Sequence, residues 1–222
     1  TFLGLIFYWS GALEPLELKS IDFRFQLRGN RPVNPDIVVV TIDEESISKL
    51  GRWPWPRATH GRLIRKLDAM GAGVVAFDSL FTEHDKENPA SDREMAKAAK
   101  ATDHVVSAFF FKRVDQNIIG EEPLFPYDEL SEASNVGYVN LEPDRDGVTR
   151  RAPLVLVEKQ IEDDKFNLFP SLAAMALAVK KDQSVDDLIA HLPIHMDPSD
   201  LSLSKTTLFI NYAFDPKSPS GY

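Results

Sequence analysis

Two apolar runs in this chain end in acid. Ile37-Val38-Val39-Val40-Thr41-Ile42 is followed by Asp43, Glu44 and Glu45, with Ser46 next, and Val74-Val75-Ala76-Phe77 is followed by Asp78. If both runs are parallel strands, their C-terminal ends share one edge, and hard cations take carboxylate oxygens from adjacent loops. Such an edge suits a divalent cation, a cationic ligand, or a phosphoacceptor or phosphatase pocket. The supporting patterns are missing: there is no D-x-D-x-T nucleophile, Glu45 interrupts a D-x-S-x-S motif at Asp43, and no partner lysine is evident. The plainer alternative has Asp43 and Asp78 accepting hydrogen bonds from the free N–H groups of the next loop, or pairing with Arg57.

Three further patterns carry possible chemistry. His191 and His195 have the spacing of two metal ligands on a helix, but Pro193 between them opposes a helix there. In Trp53-Pro54-Trp55-Pro56-Arg57 two prolines hold both indoles on a stiff arm, suited to locking a loop on the core or to presenting a ring face to a partner. Asp144-Arg145-Asp146-Gly147 resembles part of a calcium loop, yet the glutamate an EF-hand requires six residues after the glycine is Pro153. A turn is the simpler reading.

The sequence is more informative about exclusions. It has no phosphate-binding G-x-x-x-x-G-K-[ST], no G-x-G-x-x-G, no H-E-x-x-H and no G-x-S-x-G. The absence of cysteine removes thiol nucleophiles, disulfide scaffolds and cysteine-ligated metals. A net charge of −9, from 34 acidic and 25 basic residues, argues against nucleic acid as a partner. No catalytic residue, metal site or cofactor is assigned.

The elements that position these residues read as α/β. From Pro15 to Arg28 two patterns compete: Ile21, Phe23, Phe25 and Leu27 alternate as in a strand, while a first-turn Pro15 with Leu16, Ser20, Phe23 and Leu27 suits a helix, which we favour. Strand 37–42, an amphipathic helix from Arg57 to Met70 stopped by Gly71, strand 74–77, a helix capped by a Ser91/Glu94 box and running to about Ala101, and strand 105–111 make a β-α-β-α-β half. Strands 136–141 and 153–157 flank the Asp144–Gly147 turn as a hairpin-like excursion. A helix from Phe169 to Lys180, apolar on all sides, is expected to be buried, and strand 208–212 to rejoin the sheet. The expected architecture is a three-layer α/β fold: an open mixed sheet in one domain over 29–222, preceded by residues 1–28. The apolar run Phe2–Trp9 in that leading segment fits the end of a membrane helix or a segment packed on the core.

Several of these blocks, in this order, resemble a known family. They are Ile37–Glu45 with Ser46; Gly51, Trp53 to Arg57 and His60; Gly71 through Phe77-Asp78-Ser79-Leu80-Phe81; Gly137-Tyr138-Val139-Asn140; and Asp144-x-Asp146-Gly147-Val148-x-Arg150-Arg151-x-Pro153-Leu154. Together they are similar to the extracellular sensory domain associated with cyclases and histidine kinases, CHASE type two, over nearly the whole chain. The resemblance implies a domain outside the cytoplasmic membrane, between one preceding and several following membrane helices, with a cyclase or kinase output in the cytoplasm. Phe2–Trp9 would then end the first membrane helix, and Pro15–Arg28 would be a juxtamembrane helix.

Candidate ligand-binding or structural positions are Asp43, Glu44, Ser46, Trp53, Trp55, Arg57, Asp78, Asn140, Asp146 and Arg150. The leading expectation is a ligand-sensing domain of a bacterial receptor, homodimeric at full length, responding to a small molecule or an envelope protein. The rivals are a metal-dependent phosphoester hydrolase or phosphotransfer domain using Asp43 and Asp78, and an envelope interaction module anchored by Trp53 and Trp55.

Overall fold

The structure, a computed structural model, describes residues 14–32, 34–112, 123–141, 143–159, 166–190 and 206–209. Backbone contacts divide the chain into two compact units: Thr1–Thr41 with Pro143–Arg150 and Phe209–Tyr222, and Ile42–Glu142 with Arg151–Leu208.

In the first unit the competition between helix and strand resolves as helix α1, Glu14–Arg28. Pro15 falls in its first turn, where the missing N–H has no intrahelical acceptor to lose. The expected strand 37–42 does not form: residues 37–43 belong to no helix or strand, and the side chains of Ile37 to Val40 are 58–79% exposed. β-Branched residues favour strands because they pack on a pleated neighbour, and among the described residues no strand pairs with this run.

The second unit begins with short helix α2, Glu44–Leu50, and helix α3, Arg57–Ala69, which stops at Gly71 with φ of 87°. The β-α-β-α-β alternation exists but starts one strand later than expected. Strand β1 (Val75–Leu80), helix α4 (Pro89–Thr102), strand β2 (Val105–Phe111), the two-residue β3 (Pro123–Leu124), helix α5 (Asp128–Ala133) and strand β4 (Asn135–Tyr138) follow in order. β2 pairs in parallel with β1 and β4, and β3 joins it antiparallel. Ile64 of α3 and Met95 and Ala99 of α4 pack with Phe77, Phe81 and Val105 in the main core.

The Ser91 capping box is also corrected. Pro89 opens α4 directly after Asn88, and buried Ser91 accepts through Oγ from Ala58 N at 2.7 Å, tying α4 to α3.

A second, three-stranded sheet has the order β6-β5-β7, with β5 at Arg151–Lys159, β6 at Phe166–Pro170 and β7 at Thr206–Phe209. The hairpin expected around the Asp144–Gly147 turn is therefore not a pairing of its flanking strands. β4 is held in the first sheet by β2, with Ala108 opposite Gly137 and Phe109 opposite Tyr138, whereas β5 pairs antiparallel with β6. Residues 169 and 170, expected to begin the next helix, end β6. Helix α6 covers Leu172–Lys181 under an Ser171 N-cap, and α7 covers Val185–Ala190.

α6 is not buried all round: Ala174 and Ala178 are buried while Leu177 is 41% exposed. Its small residues allow close approach on one face only. Gly137 shows how close the chain comes at the start of α6, since a Cβ there would lie 2.6 Å from Leu172 Cα. Of the expected last strand, Leu208 and Phe209 lie in β7, while Ile210 to Tyr212 fall outside the described residues, as do Phe2–Trp9, His191 and His195. Among the described residues no helix is long and apolar enough to cross a membrane.

Candidate functional site

The most concentrated polar chemistry lies within the first unit, around Arg150, which is 1% exposed. A guanidinium has five N–H donors in a planar fork, and all five are used. Nε and Nη2 donate to the two carboxylate oxygens of Asp22 at 2.7 and 2.6 Å, Nη1 and Nη2 donate to those of Asp146 at 2.9 and 2.8 Å, and Nη1 also donates to Asp144 at 3.0 Å.

Local chemistry builds this clasp. Gly147, at φ of 81°, closes a turn in which its N–H donates to Asp144 O, and the N–H of Asp144 donates to Val148 O. That turn places Asp144 and Asp146 beside the following arginine. Asp22 arrives from the middle of α1, 128 residues away in sequence. The hydrogen bonds from Arg150 hold Asp146 down to about 2 and lower Asp22, and the carboxylates raise Arg150 in turn. The D-x-D-G-V-x-R motif is thus a device for holding α1.

The second unit contains the other motif. Trp55 is buried and donates from its indole N–H to Gly51 O at 2.7 Å. Half-buried Trp53 meets the Trp55 and His60 rings edge-on, each at 5.5 Å between centroids. His60, 4% exposed, lies 5.9 Å from Phe77 and 5.2 Å from Phe81. Burial, aided by the nearby Arg57 charge, pushes His60 down to about 4, so the ring is neutral at ordinary pH. The Arg57 guanidinium carbon sits 4.6 Å over the Phe81 ring, and Nε is 4.0 Å from the buried Asp92 carboxylate. The other Asp92 oxygen accepts from Asp85 N at 2.9 Å and lies 3.2 Å from His84 Nδ1. The stiff Trp-Pro arm therefore locks into the core, and its arginine reaches Asp92.

The remaining predicted residues have local roles. Asp43 is the N-cap of α2: Oδ1 accepts from Ser46 N at 2.8 Å and Ser46 Oγ at 2.6 Å, which lowers the carboxyl. Glu44 is exposed in the first turn of α2. Asp78 is exposed within β1 rather than beyond its end. Among the described residues no three His, Cys, Asp or Glu side chains gather where one metal ion could be held. Asn140 completes the β2 ladder with both ends of its amide: Phe111 N donates to Oδ1 at 2.9 Å, and Nδ2 donates to Phe111 O at 3.0 Å.

The structure thus brings Asp146 to Arg150, and Trp53 and Trp55 to His60 near Arg57. Asp22 and Asp92 are participants that the sequence reading did not single out. Asp92 had a detectable signal: it precedes Met95 and Ala99 by three and seven residues, a carboxylate on the buried stripe of α4. Nothing local distinguishes Asp22 from the other charges of α1, because its partner is supplied by a distant turn.

No curated protein and no solved structure matches this chain. The profile of the CHASE2 domain matches residues 1–220, almost the full length and every block described above. The chain belongs to the CHASE2 domain family, the non-catalytic extracellular sensory domains of receptors linked to cyclases and kinases.

Proposed function

We propose that this chain is the extracytoplasmic ligand-sensing domain of a bacterial transmembrane receptor, anchored by flanking membrane helices, and that it signals by changing the hold of the Arg150 clasp on α1. The single observation carrying this reading is the five-bond contact between Arg150, Asp22, Asp144 and Asp146. Arg150 directly precedes β5, so the residue that grips α1 is continuous in the chain with a sheet strand. A signal acts only through its differential affinity for two arrangements, and ~1.4 kcal/mol of preference shifts a population tenfold. A charged fork facing three acids offers such a pair of arrangements, since each carboxylate released can be solvated instead.

The test is made in the intact receptor. Asp22→Asn removes a charge while preserving an acceptor, and we expect it to alter basal output and signal response without unfolding the domain. Unchanged output and response, with α1 amide exchange showing a loosened helix, would refute the coupling role.

A further inference from the structure

Two buried polar atoms of the second unit face each other without a hydrogen bond. Arg57 Nε and Asp92 Oδ1 are both closed to solvent and unpartnered, and the 4.0 Å between them is beyond hydrogen-bond reach. Such atoms are costly, because each has given up water and received nothing in return. The rest of the Arg57 fork is no better supplied: among the described residues none of its guanidinium N–H groups has an acceptor. Its guanidinium carbon lies 4.6 Å over the Phe81 ring, which holds the group against one face, and 17% of the side chain remains exposed. Asp92 is 1% exposed, and its other oxygen is already engaged by Asp85 N and His84, so the valence left open is that of Oδ1.

The fields on the two sides of this pair differ in sign. Arg57 is the first residue of α3, and the bond from Ala58 N to Ser91 Oγ sets the first turn of α3 against the first turn of α4. The positive ends of two helices thus meet beside the guanidinium, which favours an anion there. On the Asp92 side a second acid is close: Glu129 Oε2 is 3.7 Å from His84 Nδ1, the same nitrogen that lies 3.2 Å from Asp92. That side favours a cation.

We propose that Arg57 and Asp92 form a binding site for a small α-amino carboxylate, whose carboxylate accepts from the Arg57 fork and whose ammonium donates to Asp92 Oδ1. Binding exchanges one long ion pair for two charge-assisted hydrogen bonds and satisfies both orphaned groups at once. Half of such a ligand is a poorer fit. A simple carboxylate leaves Asp92 Oδ1 unpartnered, and a simple amine leaves the Arg57 fork empty-handed. Entry requires the two side chains to part, since neither facing atom touches solvent. That this ligand is the signal rests on the receptor reading; that it binds here does not.

The probes are glycine, acetate and ethylamine, titrated into the full 222-residue chain carrying ¹⁵N-labelled arginine. The readout is the Nε–H resonance of Arg57, identified by its loss in Arg57→Lys. Glycine should move this resonance saturably, while acetate and ethylamine should each bind roughly tenfold more weakly because each makes one of the two contacts. Asp92→Asn should weaken glycine by a similar factor and leave acetate unchanged, a difference that general loss of structure would not produce. No response of Arg57 to glycine up to its solubility limit would overturn the site. Equal affinity for glycine and acetate would overturn the part given to Asp92, and equal affinity for glycine and ethylamine the part given to Arg57. The three ligands on the unaltered chain decide these points even where a variant fails to fold. None of these measurements reads receptor output, so failure of the site and failure of the Asp22→Asn test are separately visible.

Discussion

The Arg150 clasp and the aromatic frame around His60 solve the same problem, holding a polar side chain out of water, by opposite means. Arg150 keeps its charge and satisfies every donor with carboxylates, two of which, Asp22 and Asp146, have side chains 41% and 43% exposed. His60 gives up its charge and is enclosed by Trp53, Trp55, Phe77 and Phe81. The first solution can be opened by water because two of its three partners already touch solvent. The second cannot be opened without exposing apolar surface. The contrast separates an ionic contact at the solvent boundary from an apolar enclosure, although the two motifs look equally specific in the sequence.

The sharpest way to break this contrast is Arg150→Ala, which leaves three acids facing one another around a buried vacancy. We expect a loss of about 3–5 kcal/mol, read as faster amide exchange in α1, with tryptophan emission from the Trp53–Trp55 arm unchanged. An equal change in both would mean that the two regions are a single cooperative structure. Arg150→Lys should recover only part of the loss, because an ammonium cannot make two bidentate pairs.

The next largest effect concerns pH. His60 falls from 6.5 in the unfolded chain to about 4 when folded, so the unfolded state binds the extra proton between those values. Stability is complete above pH 6.5 and decreases as pH falls to 4, by about 3 kcal/mol in total. Denaturant titrations across that range should show the loss, and His60→Phe should flatten it. The clasp responds lower on the scale. Asp146 is lowered from 3.8 to about 2, so its contribution is full above pH 3.8 and disappears as pH falls through 2. An exchange profile of α1 that instead changed between pH 6.5 and 4, in step with the frame, would contradict their independence.

The smallest expected effect is that of Asp43→Ala. Removing the α2 N-cap should lower the melting temperature by roughly 3 °C while leaving α1 exchange unaltered. A much larger drop, or loss of a phosphoester-hydrolysing activity, would give the acidic residue a role beyond capping.

Local chemistry made several features legible in advance. Pro15 and the stripe from Leu16 to Leu27 indicated α1, Gly71 marked the end of α3, Asp43 had the makings of a cap, and Gly147 required a turn. The misread strands share a cause. The run 37–42 has every local preference for a strand and no paired neighbour, and the segments flanking the Asp144–Gly147 turn look like a hairpin yet pair with β2 and β6. Strand preference states what a residue tolerates, while pairing depends on which edge is available.

What the amino-acid order alone determined is the Gly71 stop and the Gly147 turn, together with the family membership carried by its motif blocks, because those depend on residues within a few positions of one another. What only the tertiary structure decided is which motif holds what: Asp22 meets Arg150 across 128 residues, and Arg57 finds Asp92 on a neighbouring helix. A charge in a sequence has no partner until folding removes the water between them, and the selection of that partner is a property of the packed chain.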